Sequence, residues 1–149
     1  MTMAAAIEGR TAQTPAWSKP GRVAAVDIFA DLGQAEAIWR ELEDRQQFHT
    51  PYQRFDFLAA WQRQVGERNG VRPFIAIATD AESRPLLLLP LALGRRHGIN
   101  TANFMGGKHS TFNMALRNGE FAASATRSDM EAPISMVAQR GAADVLALH

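Results

Sequence analysis

The run Leu86-Leu87-Leu88-Leu89-Pro90-Leu91-Ala92-Leu93 constrains the fold more than any other stretch of the chain. Every residue in it is apolar, so an extended chain here presents apolar side chains on both faces. The run is far shorter than the roughly 20 residues a membrane-spanning helix needs. What remains is a strand covered on both sides, as in a sheet with helices packed on it. Pro90 has no N–H to give to a ladder, which predicts a bulge or a missing ladder bond at that point.

The neighbouring segments supply the rest of such a domain. Phe74–Thr79 reads as a strand joined to Leu86–Leu93 by a turn at Asp80–Arg84. Arg95-Arg96-His97-Gly98 is a hairpin turn into a further strand, Ile99–Met105. Upstream, Val23–Phe29 reads as a strand, and Asp31 as the N-cap of a helix over Leu32–Gln47 with Ala35, Ile38 and Leu42 on one face and Trp39 beside them. Thr50-Pro51 ends that helix. A second helix fits Phe55–Arg68 through the stripe Phe57, Leu58, Trp61 and Val65, weakened at Gly66 and closed by a turn at Asn69-Gly70. Residues Ala115–Ala125 show no regular pattern. Ser128-x-x-Glu131 is a capping box for a helix over Asp129–Arg140, with Pro133 later than the first turn, and Ala143–Leu148 reads as a strand. Met1–Gly21, rich in Ala, Thr, Pro and Gly, is a loose leader. The expected fold is therefore α/β (α+β), a mostly antiparallel sheet with packed helices over residues 22–149.

Composition removes several functions. With 149 residues the chain suits one domain, and 16 basic against 15 acidic residues leave a formal charge of +1, too little for a nucleic-acid field. Zero cysteines exclude disulfides, thiolate metal sites and cysteine nucleophiles, and suit the cytoplasm. His49, His97, His109 and His149 are scattered, with no i, i+4 pair and no HExxH, so no metal site is expected. No GxSxG elbow frames Ser110, and the glycine pair fits neither GxGxxG nor GxxxxGK[ST].

The richest chemistry lies in Phe104-Met105-Gly106-Gly107-Lys108-His109-Ser110-Thr111-Phe112-Asn113. Glycines permit φ > 0 and close backbone approach. On one reading the Gly107–His109 amides form a nest for an acyl, phosphate or sugar oxygen, Lys108 adds charge, and His109 is a candidate general base. No carboxylate lies nearby in sequence to orient that imidazole. On the other reading the segment is a structural corner, with Ser110 and Asn113 capping backbone groups and Phe112 as its anchor. Trp39, Phe57 and Trp61, at helical spacing, read as core rather than as an aromatic sugar platform.

The order of these pieces carries a resemblance. Strand Pro85–Gly94, hairpin, strand Ile99–Met105 and then GGKHSTFN, preceded by Thr50-Pro51-Tyr52-Gln53 and Phe57-Leu58-Ala59-Ala60-Trp61 and followed by Asp144–His149, resembles the N-terminal half of CelD-like acyltransferases of the GNAT superfamily. These are similar in layout to FemAB-type double-GNAT transferases. The resemblance runs from about Ile38 to His149. It implies a parent protein that moves an acyl group from acetyl-CoA or another acyl-CoA to an amine or hydroxyl acceptor, small molecule or saccharide, in cellulose or exopolysaccharide biosynthesis. Gly106, Gly107, Lys108, His109, Ser110 and Asn113 would then shape the acceptor side. The family's cofactor loop, [QR]xxGx[GA], belongs to the following half. The nearest match here, Arg95–Asn100, fails at its last position and falls in a hairpin. This chain is therefore expected to be an N-terminal fragment that binds no acetyl-CoA and is inactive without the missing C-terminal half-domain. Two alternatives stand beside this: a non-catalytic binding or assembly module in polysaccharide synthesis, and a FemAB-like aminoacyl transferase. The near-neutral charge speaks against the second.

Overall fold

The computed structural model describes residues 22–45 and 50–148; the expected leader, the last two residues of the first helix and His49 and His149 lie outside them. In chain order the elements are β1 (Ala25–Phe29), α1 (Leu32–Arg45), α2 (Phe55–Trp61), β2 (Arg72–Thr79), β3 (Pro85–Arg96), β4 (Ile99–Phe104), β5 (Leu116–Arg117), α3 (Gly119–Ser124), α4 (Arg127–Gln139) and β6 (Val145–Ala147). The six strands form one sheet in the order β1-β2-β3-β4-β6, with β5 also against β3. All pairings are antiparallel except β4 with β6. The fold class read from the sequence is the one found. None of the helices among the described residues is long and apolar enough to cross a membrane.

Strand β3 is central, and its all-apolar run divides between two cores by the two-residue alternation of a strand. Leu87, Leu89, Leu91 and Leu93 join Phe74, Ala76 and Ala78 of β2 beneath Phe121 of α3 and Val137 of α4. Leu88 and Ala92 join Ile75 and Ile77 on the other face, beneath Trp39 and Leu42 of α1 and Phe55 and Leu58 of α2. Burying each such leucine contributes about 1.5–3 kcal/mol, and a charged residue anywhere in Leu87–Leu91 has no wet face to turn to.

The bulge expected at Pro90 lies elsewhere. Ala78 pairs with Leu87 but Thr79 with Pro85, so Leu86 is the extra residue, and Leu86 and Leu87 consequently fall in the same apolar cluster. Pro90 pairs with Ile75 without a shift. Its carbonyl accepts from Met105 N–H at 2.8 Å. A strand residue's N–H and C=O point to the same neighbour, so the missing donor falls on the β4 side, where the chain leaves the sheet. There the partner strand needs no bond from it.

Turn chemistry sets the remaining corners. His97 (φ 51°) and Gly98 (φ 83°) make a two-residue turn, so β3 and β4 run closer to the tip than the four-residue hairpin expected. Asp31 caps α1, its carboxylate accepting from Gly33 N–H at 2.8 Å. The second helix is shorter than the stripe predicted: α2 ends at Trp61 and passes through a π turn, Gln62–Gly66, and a 3-10 turn, Glu67–Asn69. Buried Gln62 folds back so that its amide donates to Val71 O at 2.8 Å. A Cβ on Gly66 would lie 2.4 Å from Gln62 Oε1, so only glycine leaves room for this fold-back.

The segment read as irregular holds β5 and α3. Asn118 caps α3 by accepting from Glu120 N–H at 3.0 Å. Helix α4 starts two residues earlier than expected, because the capping box is Thr126 with Asp129 and not Ser128 with Glu131. Asp129 accepts from Thr126 N–H and hydroxyl, both at 2.8 Å, and returns its own N–H to Thr126 Oγ1 at 3.3 Å. Glu131 instead pairs with Arg127 at 2.6 Å on the helix surface. Asp129 also accepts from Arg22 N–H at 2.6 Å, which ties the entrance of β1 to α4. Burial pushes its carboxyl pKa up, but the bonds from Thr126 and Arg22 outweigh that and hold it below the ordinary carboxylate value.

Candidate functional site

The glycine segment is an excursion from one rail of the sheet. Strand β4 pairs with β3 from Arg96 back to Leu91, and β5 resumes the pairing at Leu88 and Leu87. Residues 106–115 leave and return between those points, at the carboxyl end of β4.

Two glycines with left-handed φ start the excursion, Gly106 at 93° and Gly107 at 48°. A Cβ on Gly106 would stand 2.8 Å from Ser110 Cβ, so the turn closes only around glycine. The turn is a 3-10 segment, Gly107–His109, in which His109 N–H donates to Gly106 O at 2.9 Å and Ser110 N–H to Gly107 O at 3.2 Å. Ser110 Oγ donates to Phe112 O at 2.9 Å. The nest expected from the Gly107–His109 amides therefore loses the His109 N–H, which points into the loop. Lys108 and His109 are exposed, Ser110 and Asn113 half-buried, and Phe112 is 58 % exposed rather than an anchor. None of the ion pairs among the described residues involves His109 or Lys108.

Sequence reasoning missed the floor beneath the loop, which comes from the Pro51–Gln53 turn and α2. Thr111 Oγ1 donates to Tyr52 Oη at 3.2 Å. Tyr52 meets Phe57 edge-on, with ring centroids 5.5 Å apart. Leu58 lies 3.5 Å from where a Gly106 Cβ would be, and Trp61 3.9 Å from where a Gly107 Cβ would be. Phe57 and Trp61 stand one helical turn apart, off the buried face formed by Phe55, Leu58 and Ala59. That offset is the signal the sequence offered.

The two helical tryptophans differ sharply. Trp39 is fully buried and its indole donates to Gln53 O at 2.9 Å, as a core tryptophan should. Trp61 is half-buried, yet its Nε1 is buried with no partner among the described residues, and Gln53 Nε2 is in the same condition. Chemically the site offers a loop of cationic and neutral donors over an aromatic floor, one of whose rings, Trp61, carries a buried N–H.

An open groove of ≈ 850 Å³, lined by Arg22, Asp80, Glu82, Arg84 and Asn118 among others, lies at the Asp80–Arg84 turn and away from this loop. Its Arg84 is held by Asp80 at 2.8 Å and Glu82 at 3.4 Å. In the loop, by contrast, Lys108 and His109 take part in none of the ion pairs among the described residues.

No protein-family model matches the chain, and no curated protein matches it. Among solved structures, the chain is similar to an acetyltransferase of Trypanosoma brucei at 8% sequence identity, covering 84% of this chain and 81% of that one, with a TM-score of 0.44.

Proposed function

We propose that this chain forms the acceptor side of a GNAT-like acyltransferase, one that modifies an amine or hydroxyl of a small molecule or saccharide with an acyl group from acyl-CoA. The observation that carries the reading is the place of the glycine loop. It leaves the sheet at the carboxyl end of β4, beside the parallel pairing of Thr101–Asn103 with Val145–Ala147. Ligands of sheets with parallel strands sit at such carboxyl ends, where loops converge. The order of elements and the GGKHSTFN segment, which resemble those of CelD-like acyltransferases, support the reaction class and suggest the polysaccharide setting.

On this reading Lys108, Ser110 and Asn113 orient the acceptor, which lowers the entropic cost of activation by proximity. His109, exposed on the loop, takes the proton the acceptor loses. The residues present do not fit a CoA pyrophosphate. Arg95–Asn100 spans a hairpin tip instead of opening a helix, and Gly106-Gly107 leads into a single 3-10 turn. Donor binding is therefore assigned to a further half-domain, with which this chain would act in the cytoplasm.

A second reading, a non-catalytic binding or assembly module, is favoured by one fact: none of the ion pairs among the described residues brings a carboxylate to His109. The test is to read the coding DNA beyond codon 149 and assay the encoded product for CoA release from acetyl-CoA over amine and hydroxyl acceptors. Acceptor-dependent release by the longer product, absent from the 149-residue chain, supports acyl transfer. No release with any acceptor overturns it and leaves the binding module.

A further inference from the structure

A buried indole N–H without an acceptor is unfavourable, because the group has lost water and gained nothing in return. Trp61 presents this condition directly beneath the Gly106-Gly107 turn. Its floor-mates Tyr52 and Phe57 are half-buried aromatics, and Gln53, which neighbours Tyr52 in the same turn, leaves a second buried donor unpartnered among the described residues. The loop above is braced by its own short-range bonds, His109 to Gly106, Ser110 to Gly107 and Ser110 to Phe112. It is clasped to the floor by Thr111 and Tyr52, and its two left-handed glycines sit where it leaves the sheet.

We propose that Trp61 is a ligand-binding residue and that residues 106–113 are the lid over it. The indole N–H donates to the carbonyl oxygen of an N-acyl or O-acyl group, and the alkyl end of that group packs on Tyr52 and Phe57. An indole nitrogen is a donor only, so the ligand must supply the lone pair. The aromatic neighbours select against a bare anion and for an oxygen carried on an apolar group. The choice of an acyl group rests on the acyl-transfer reading above; the requirement for an acceptor oxygen does not.

The test is proton–nitrogen NMR of the whole chain, with the Trp61 and Trp17 indole signals assigned by Trp61→Phe and Trp17→Phe and that of Trp39 by elimination. N-methylacetamide is the probe, carrying an amide carbonyl with a methyl group at either end. The expected result is a saturable downfield shift of the Trp61 indole proton with the Trp39 signal unmoved. Thr111→Val, which removes the clasp at an exposed position, should tighten the apparent dissociation constant about threefold, since the open form is then more populated. A Trp61 signal that does not respond overturns the proposal. So does a Trp61 indole proton that shows cross-relaxation to a long-lived water, because the donor is then already satisfied. CoA release measured separately keeps the two readings apart. A responding Trp61 together with no acyl transfer by the longer product removes the acyl-transfer reading alone. Acyl transfer by the longer product that Trp61→Phe leaves unchanged in KM removes the lid site alone.

Discussion

The polar groups on the two faces of the sheet, Asp129 with its donors Arg22 and Thr126 on one and Gln53, Trp61 and Gln62 on the other, are finished to different degrees. The first is complete: Asp129, 2 % exposed, collects donors from Thr126 and Arg22 and locks the start of β1 to α4. The second leaves Gln53 Nε2, Trp61 Nε1 and Gln62 Oε1 buried without partners among the described residues. A satisfied cluster fixes a fold, whereas an unsatisfied one gives up stability that only a ligand or a water can restore. The difference separates architecture from candidate function more clearly than composition does.

The comparison breaks most visibly at Asp129. Asp129→Ala strands the Thr126 and Arg22 donors and should lower unfolding stability by about 3 kcal/mol, read from urea denaturation. The same carboxylate sets a pH dependence. Its folded pKa lies below the ordinary value, so its contribution is full above the unfolded carboxylate pKa and is lost as pH falls through the folded one. Wild type should therefore lose stability on acidification in that window, and Asp129→Asn should lose less. An equal loss in both would show that the lock carries no linked charge.

Next in size is the hinge. Gly106→Ala meets both a left-handed φ and a contact of 2.8 Å to Ser110, and should cost about 2 kcal/mol. Gly107→Ala, with open space to 3.9 Å from Trp61, should cost about 1 kcal/mol. Equal effects would mean that the Ser110 side chain simply moves aside. Smallest, and sharpest for the comparison, are the tryptophans. Trp39→Phe loses a buried hydrogen bond and should cost about 1.5 kcal/mol, while Trp61→Phe removes an unsatisfied donor and should lie within about 0.5 kcal/mol of wild type. A Trp61→Phe loss as large as that of Trp39→Phe would show that its indole already has an acceptor.

What the sequence disclosed follows from the range of the forces involved. The apolar run of β3 announced two covered faces because burial acts on every residue of the run. Asp31 as a cap was legible because capping is local. The two-residue β5 and six-residue α3 carry too few residues for a period, and they exist because β3 still has an edge to pair after β4 departs. The capping box was misplaced because Ser128-x-x-Glu131 has the customary residue types, and only the approach of Arg22, 107 residues away, makes Asp129 the better partner. The loop was found from its residue types. Its floor was not, because whether an indole N–H has an acceptor depends on contacts distant in sequence.

Because the glycine loop departs opposite Pro90 and returns opposite Leu88 on the same strand, the sheet holds its two ends together whatever lies between them. Its length and side chains can then drift without disturbing register, and Pro90 already lacks the N–H that a continuous partner strand would have required. The fold thus carries an exchangeable cassette at the carboxyl end of β4, where new specificity can arise without a new scaffold.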